Sequence, residues 1–368
     1  MASETNSPPS STKTCLVYIG GYTHGRGKGI YLSHFDFSTG SLTTPTLATE
    51  TANPSFLVVN PNSHFLYAVG ENSGPSNCFV KAFSLEKGSG KLKFLNEQTS
   101  GGRGPTHLAV NSAGTCLLVA NYGSGSVASL PIRADGTLGP PASVIQHQGS
   151  SVDPKRQQGP HAHGVGFDLL GGRALCADLG LDKILVYNVD PVSAALTPND
   201  PPFGSVKPGS GVRHFVFSAD GNRLYAINEM FSTITAFNYN LRKGTLTEFQ
   251  TITTLPDGFT GTNTAAEVAI DPTGRFLYGS NRGTDNSITV YSIDSATGML
   301  TFVQHQSTLG KTPRFICIDP TGNFLLAANQ DSNTIVIFRI DPKTGQLTPI
   351  GQPVESPNPT SIVFVTIQ

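Results

Sequence analysis

Four side chains able to do chemistry stand out from an otherwise repetitive chain: His163, Arg213, Glu229 and Arg282. Three more lie near them in the repeat, His161, His214 and Arg314. Arginine forks grip carboxylates and phosphates by paired, charge-assisted hydrogen bonds. They also stabilise an oxyanion or enolate as it forms. Histidine and glutamate move protons near neutral pH. Together these residue types suit metal-free acid–base chemistry on a small anion, such as the opening or closing of a lactone.

Other chemistries lack their signatures. The chain has no G-x-S-x-G nucleophile elbow, no H-E-x-x-H zinc motif and no Walker loop. The glycine-rich run from Gly25 to Gly29 is not followed by a helical pattern and reads as a loop. His161 and His163 are two apart, so on a strand they would share a face and could hold a metal. Their neighbours in register are arginines and no third ligand is apparent, so neither a metal nor any other cofactor is expected.

Composition narrows the partners. With 24 Lys+Arg against 25 Asp+Glu and no basic run, the electrostatic footprint of a nucleic-acid binder is missing. No apolar run is long enough to span a bilayer. Cys15, Cys78, Cys116, Cys176 and Cys317 form no C-x-x-C pair and mostly sit in apolar runs, as reduced buried thiols do. Residues 1–14 are polar and Pro/Ser-rich, without the apolar stretch of a signal peptide, and read as a disordered tail. These features point to the cytoplasm. They leave the oligomeric state unread.

What must position the seven residues is a repeat. Its core is an apolar strand, a Pro/Gly/Asn turn, and a second apolar strand ending near Asn, as in AAEVAIDPTGRFLYGSNRG and TPRFICIDPTGNFLLAANQD. A third strand, a Gly-Leu turn (TGML, TGQL, KGTL) and a more polar fourth strand complete each unit. Units of roughly 50 residues with four short strands are propeller blades. Six whole units are present. The C-terminal NPTSIVFV supplies the first strand of a seventh, and CLVYIGGYT supplies its second. Residues 15–368 therefore form one all-β, seven-bladed β-propeller whose ends share a blade, which leaves no free sheet edge.

The blades serve as controls for one another. Asn or Asp recurs at the end of strand two at Asn121, Asp178, Asn228, Asn281 and Asn329, as a residue bonding nearby backbone would. The next column varies: Gly21, Glu71, Tyr122, Leu179, Glu229, Arg282 and Gln330. So does the start of strand one: Ser55, Thr106, His163, Arg213, Ala266, Arg314 and Thr360. Both columns lie at one face of the ring, and their ionisable members come from consecutive blades. They should meet at one side of the channel mouth, as a binding or catalytic site or as an interblade salt-bridge network.

The YIGGYT opening, the GPHAHG run from Gly159 to Gly164, and the order His, Arg, Glu, Arg resemble the seven-bladed lactonase family. This family includes propeller-type 6-phosphogluconolactonases and the fungal carboxymuconate lactonising enzyme. The resemblance covers nearly the whole chain. It implies that His163 in HGVGFD, Arg213 in GVRHF, Glu229 in INEM and Arg282 in SNRG are the catalytic set. On this reading Arg213 and Arg282 hold the substrate anion and developing oxyanion, His163 activates water, and Glu229 orients it or relays a proton. His161, His214 and Arg314 assist in substrate binding. The expected activity is hydrolysis of a small anionic sugar lactone. The alternatives are a cycloisomerase, with Glu229 or His163 donating a proton to carbon, and a binding propeller without catalysis.

Overall fold

The computed structural model describes residues 14–366, apart from 73, 75–77 and 87. The tail assigned to 1–14 lies outside the described residues except for Thr14, which already belongs to the first strand. Among the described residues, seven four-stranded antiparallel sheets are arranged as blades. Their inner strands are Leu57–Val59, Pro105–Val110, Ala162–Phe167, Val212–Phe217, Asn263–Ile270, Pro313–Ile318 and Pro359–Val365, which define blades 1 to 7 in that order. In blade 7 the C-terminal inner strand pairs with Thr14–Gly21, and Gly29–Asp36 and Thr46–Glu50 follow outward.

The apolar residues do not form one central core. They form seven clusters, one at each interface between neighbouring blades. Alternation along each strand explains this, because both faces of a blade are covered by the blades beside it. The recurrent Gly-Leu turn has a matching role. Tyr18, Tyr67, Tyr225 and Tyr278, all on second strands, donate hydroxyl bonds to the carbonyls of Gly90, Gly136, Gly298 and Gly345 in the next blade. The Asn column also ties blades together. Asn121, Asn281 and Asn329 donate to the carbonyls of Ser100, Thr254 and Thr308 at the end of the preceding blade.

In blade 7 the Asn column is replaced by Gly20, for a steric reason. A Cβ there would lie 2.3 Å from the Pro54 carbonyl oxygen, and one on Gly21 would lie 2.2 Å from that of Asn358. The YIGGYT glycines thus let the closing strand approach its neighbours.

One irregularity matters for function. In blades 2, 3, 4, 6 and 7 the inner strand carries one unpaired residue near its start: Thr106, His163, Arg213, Arg314 and Thr360. Blade 5 places Ala266 and Glu267 in the corresponding bulge. Such bulges twist a strand and re-aim a side chain.

Replacing Tyr278 with Phe leaves the buried Gly345 carbonyl without its partner. A loss of about 1–2 kcal/mol in denaturant unfolding is expected, with the fold retained by circular dichroism.

Candidate active site

Glu229 follows the second strand of blade 4 and is held by its backbone between blades: its N–H donates to the Gly211 carbonyl, and its carbonyl accepts from Ala265 N–H. Its carboxylate meets three guanidinium groups. Arg156 Nη2 lies 2.6 Å from Oε1, and Arg282 Nη2 and Arg213 Nε lie 2.9 and 3.2 Å from Oε2. Glu229 and Arg213 are only 6% and 2% exposed, so the pairing offsets a large desolvation cost. Burial alone would raise the Glu229 pKa; Arg282, Arg213 and Arg156 outweigh it and hold it down at about 2. Glu229 is therefore a permanent anion near neutral pH, and the expected role as a proton relay or donor does not fit it. It is the counter-ion that fixes the arginines.

His163 projects from the blade 3 bulge into a cavity of about 200 Å³ that is also lined by Glu71, Tyr122, Arg156, Glu229, Arg282 and Arg314. Its Nδ1 is 3.0 Å from His214 Nε2, which leaves Nε2 for a ligand. Burial, with Arg213, His214, Arg314 and His107 adding to it, holds the His163 pKa well below its ordinary value. The ring is neutral.

Arg314, from the blade 6 bulge, differs from the other three arginines. Among the described residues it makes no hydrogen bond or ion pair. Its guanidinium lies 5.5 Å over the Tyr22 ring. Glu71, the nearby carboxylate, is taken up instead by the hydroxyls of Ser55 and Tyr22. Arg314 is thus a cation on the cavity wall without a directly bonded counter-ion; Glu71 and Glu229 act on it only at longer range.

The remaining expectations fare unevenly. Arg213 is brought to Glu229 but lies behind it; its Nη1 donates to the Ala266 carbonyl at 2.5 Å and it does not line the 200 Å³ cavity. In this arrangement Arg213 supports Glu229. His214 is also off this cavity, buried beneath His163 and bonded to Glu267 at 2.9 Å. His161 stacks on Tyr122 at 4.6 Å between ring centroids, with Nδ1 on the Tyr122 carbonyl. It flanks the cavity wall and does not pair with His163, whose Nδ1 is turned to His214. Among the described residues no group of three or more His, Cys, Asp or Glu side chains is arranged to hold a metal ion.

Sequence reasoning missed Arg156 and Glu267. Arg156 sits between blades 2 and 3 in a segment outside the repeat, so no column contained it. Glu267 carried a readable signal, a lone carboxylate within the apolar run AAEVAI.

Residues 16–364 match the family model for the seven-bladed β-propeller lactonases. The chain belongs to that family. It is an enzyme fold of the lactonase class, and its relatives agree. The 6-phosphogluconolactonase of Bacillus subtilis is 35% identical over 95% of this chain and 98% of its own length. The 6-phosphogluconolactonase of Formosa agariphila is 33% identical over 91% of this chain and 95% of its own. Among solved structures, the periplasmic gluconolactonase of Pseudomonas aeruginosa superposes with a TM-score of 0.91 at 36% identity, covering 96% of this chain and 100% of that one.

Glu229→Gln leaves two buried arginines poorly compensated and should cost about 3 kcal/mol or more in denaturant unfolding at neutral pH. Because the folded-state pKa is depressed from 4.5 to about 2, the wild-type advantage is complete above about pH 4.5 and disappears as pH falls towards 2. Unfolding curves of both proteins across that range check it.

Proposed function

We propose that this chain hydrolyses a phosphorylated sugar δ-lactone, 6-phosphogluconolactone being the best match. The observation that carries the reading is Arg314, an unpaired guanidinium on the same cavity as the neutral imidazole of His163. An anionic group of the substrate would complete the missing ion pair. Around the site four guanidiniums, Arg156, Arg213, Arg282 and Arg314, face three carboxylates, Glu71, Glu229 and Glu267, so the remaining positive charge favours an anion. A second cavity of about 410 Å³, lined by Arg103, Gly104, Tyr122 and Gly123, shares Glu71 and Tyr122 with the first. The two together give room for a small phosphorylated ring.

In this mechanism His163 Nε2 accepts a proton from water as the water oxygen attacks the lactone carbonyl. Arg282 spends Nη2 on Glu229 and on the Ala265 carbonyl, and its remaining donors would stabilise the oxyanion. Collapse of the tetrahedral intermediate breaks the ring C–O bond, and the departing alkoxide recovers the proton from His163. The cycloisomerase alternative needs a proton donor of ordinary strength. Glu229, ionised down to about pH 2, and His163, neutral, do not supply one.

The names of the relatives support both a phosphorylated and an unphosphorylated lactone, and one comparison separates them. Purified protein should open 6-phosphogluconolactone faster than gluconolactone. Arg314→Met should lower kcat/KM for the phosphorylated substrate at least tenfold, about 1.4 kcal/mol, with little change for the neutral one. Equal loss on both substrates, or none on either, contradicts the role given to Arg314.

A further inference from the structure

Beneath His163 the channel holds a line of buried ionisable groups that the mechanism above does not use. His163 Nδ1 lies 3.0 Å from His214 Nε2, and His214 Nδ1 lies 2.9 and 3.0 Å from the two oxygens of Glu267. All three residues are nearly inaccessible, at 4%, 4% and 6% exposure. Glu267 is fixed at its own end, since its Oε1 accepts from Val268 N–H at 3.1 Å and its backbone N–H donates to Ser280 Oγ. The rings of Phe56 and His107 pack against His214, and Phe315 packs on Phe56. The space beside the line, about 10 Å³, admits at most a single water.

We infer that Glu267 is the terminal proton acceptor of this site, reached from His163 through His214. The inference rests on the lactonase reading only in assigning the proton to water. The bonding directions follow from donor and acceptor rules. A Glu267 carboxylate can only accept, so His214 Nδ1 carries a proton and donates it. The competing donor at that nitrogen, Arg213 Nη1, is 3.5 Å away, too long to prevail over a 2.9 Å bond. Neutral His214 then accepts at Nε2, so His163 donates from Nδ1. His163 Nε2 is left as a lone pair facing the cavity.

During attack the water proton passes to His163 Nε2. The His163 Nδ1 proton passes to His214 Nε2, and the His214 Nδ1 proton passes to a Glu267 oxygen. Each ring gains one proton and loses one, and Glu267 becomes a neutral acid. The reverse transfers return a proton to the leaving alkoxide.

The electrostatics explain why a relay is needed. An imidazolium at His163 would be buried beside Arg213 and Arg314. His214 is likewise held well below its ordinary pKa, by burial first and then by Arg213, Arg314 and Arg282. Moving the charge change to a carboxylate avoids both cations. The groups facing Glu267 are Arg213 and His214 from blade 4, His107 from blade 2, Arg282 from blade 5 and Arg314 and Cys317 from blade 6, with Glu71 lining the same small space. Burial raises its carboxyl to about 7, against the opposing pull of Arg213, His107 and Arg282. That value suits an acceptor working near neutrality. The acceptor form is present above about pH 7 and is lost below it, so kcat/KM should rise through that pH.

Two measurements test the relay. In ligand-free protein labelled with 15N-histidine, His163 and His214 above pH 8 should each carry their proton on Nδ1. As pH falls through 7, both should switch to the Nε2–H form without becoming cationic. His163 protonated at Nε2 above pH 8, or doubly protonated at pH 6, overturns the inference whether or not any lactone is opened. In turnover, Glu267→Gln should lower kcat about 100-fold, keep KM within about threefold, and remove the rise in kcat/KM near pH 7. Wild-type kcat with that rise intact would overturn it. A protein that opens no lactone but shows the tautomer switch retains the relay and refutes the lactonase reading; the opposite pair of results retains the lactonase and refutes the relay.

Discussion

A bulge at the head of the inner strand in blades 2 to 7 is the constraint on which this site depends. Regular pairing would send alternate side chains into the interblade clusters, where Ala, Val and Leu dominate. Each bulge interrupts that alternation and turns a side chain to the channel. Thr106, His163, Arg213 and Arg314 are all such residues, and Glu267 occupies the blade 5 counterpart. Because six of the seven blades carry a bulge at this level, the ring delivers unlike side chains to one axis without altering the packing between blades. The tyrosine and asparagine bonds that join neighbouring blades keep those positions fixed.

The concentration of cations this creates would be unstable by itself. Glu229 resolves it by binding three arginines at once, which removes two of them from direct competition for a ligand. Of the three partners, Arg156 has a side chain 40% exposed and contributes less than the buried pair. The site therefore separates structural charge from functional charge: Arg213 is ion-paired with Glu229, whereas Arg314 has no such pair. A neutral histidine amid this field is a weak base by itself. A carboxylate placed two rings away gives the proton a destination that adds no positive charge to the cluster.

The blades, their number and the shared closing blade were legible because turn residues and apolar alternation repeat along the chain. The positions of His163, Arg213 and Arg314 were legible for the same reason, since they break a column that is otherwise small or neutral. What the sequence does not contain is pairing. Arg213, Arg282 and Arg314 look equivalent as letters, and only the approach of Glu229 distinguishes the engaged guanidiniums from the free one. On a regular strand His161 and His163 would share a face, but His161 precedes the strand and His163 is the bulged residue, so simple alternation does not apply to them. Arg156 enters from a segment with no counterpart in other blades, and no internal comparison could single it out.

The central claim is that one cavity presents an unpaired Arg314 to an anion and the Nε2 lone pair of His163 to a carbonyl centre. A crystal structure with the hydrolysis product, 6-phosphogluconate, tests it most directly. The account predicts the phosphate paired with Arg314 and the new carboxylate within about 3 Å of His163 Nε2. A product bound with its carboxylate away from His163, or a phosphate that leaves Arg314 uncontacted, would contradict it.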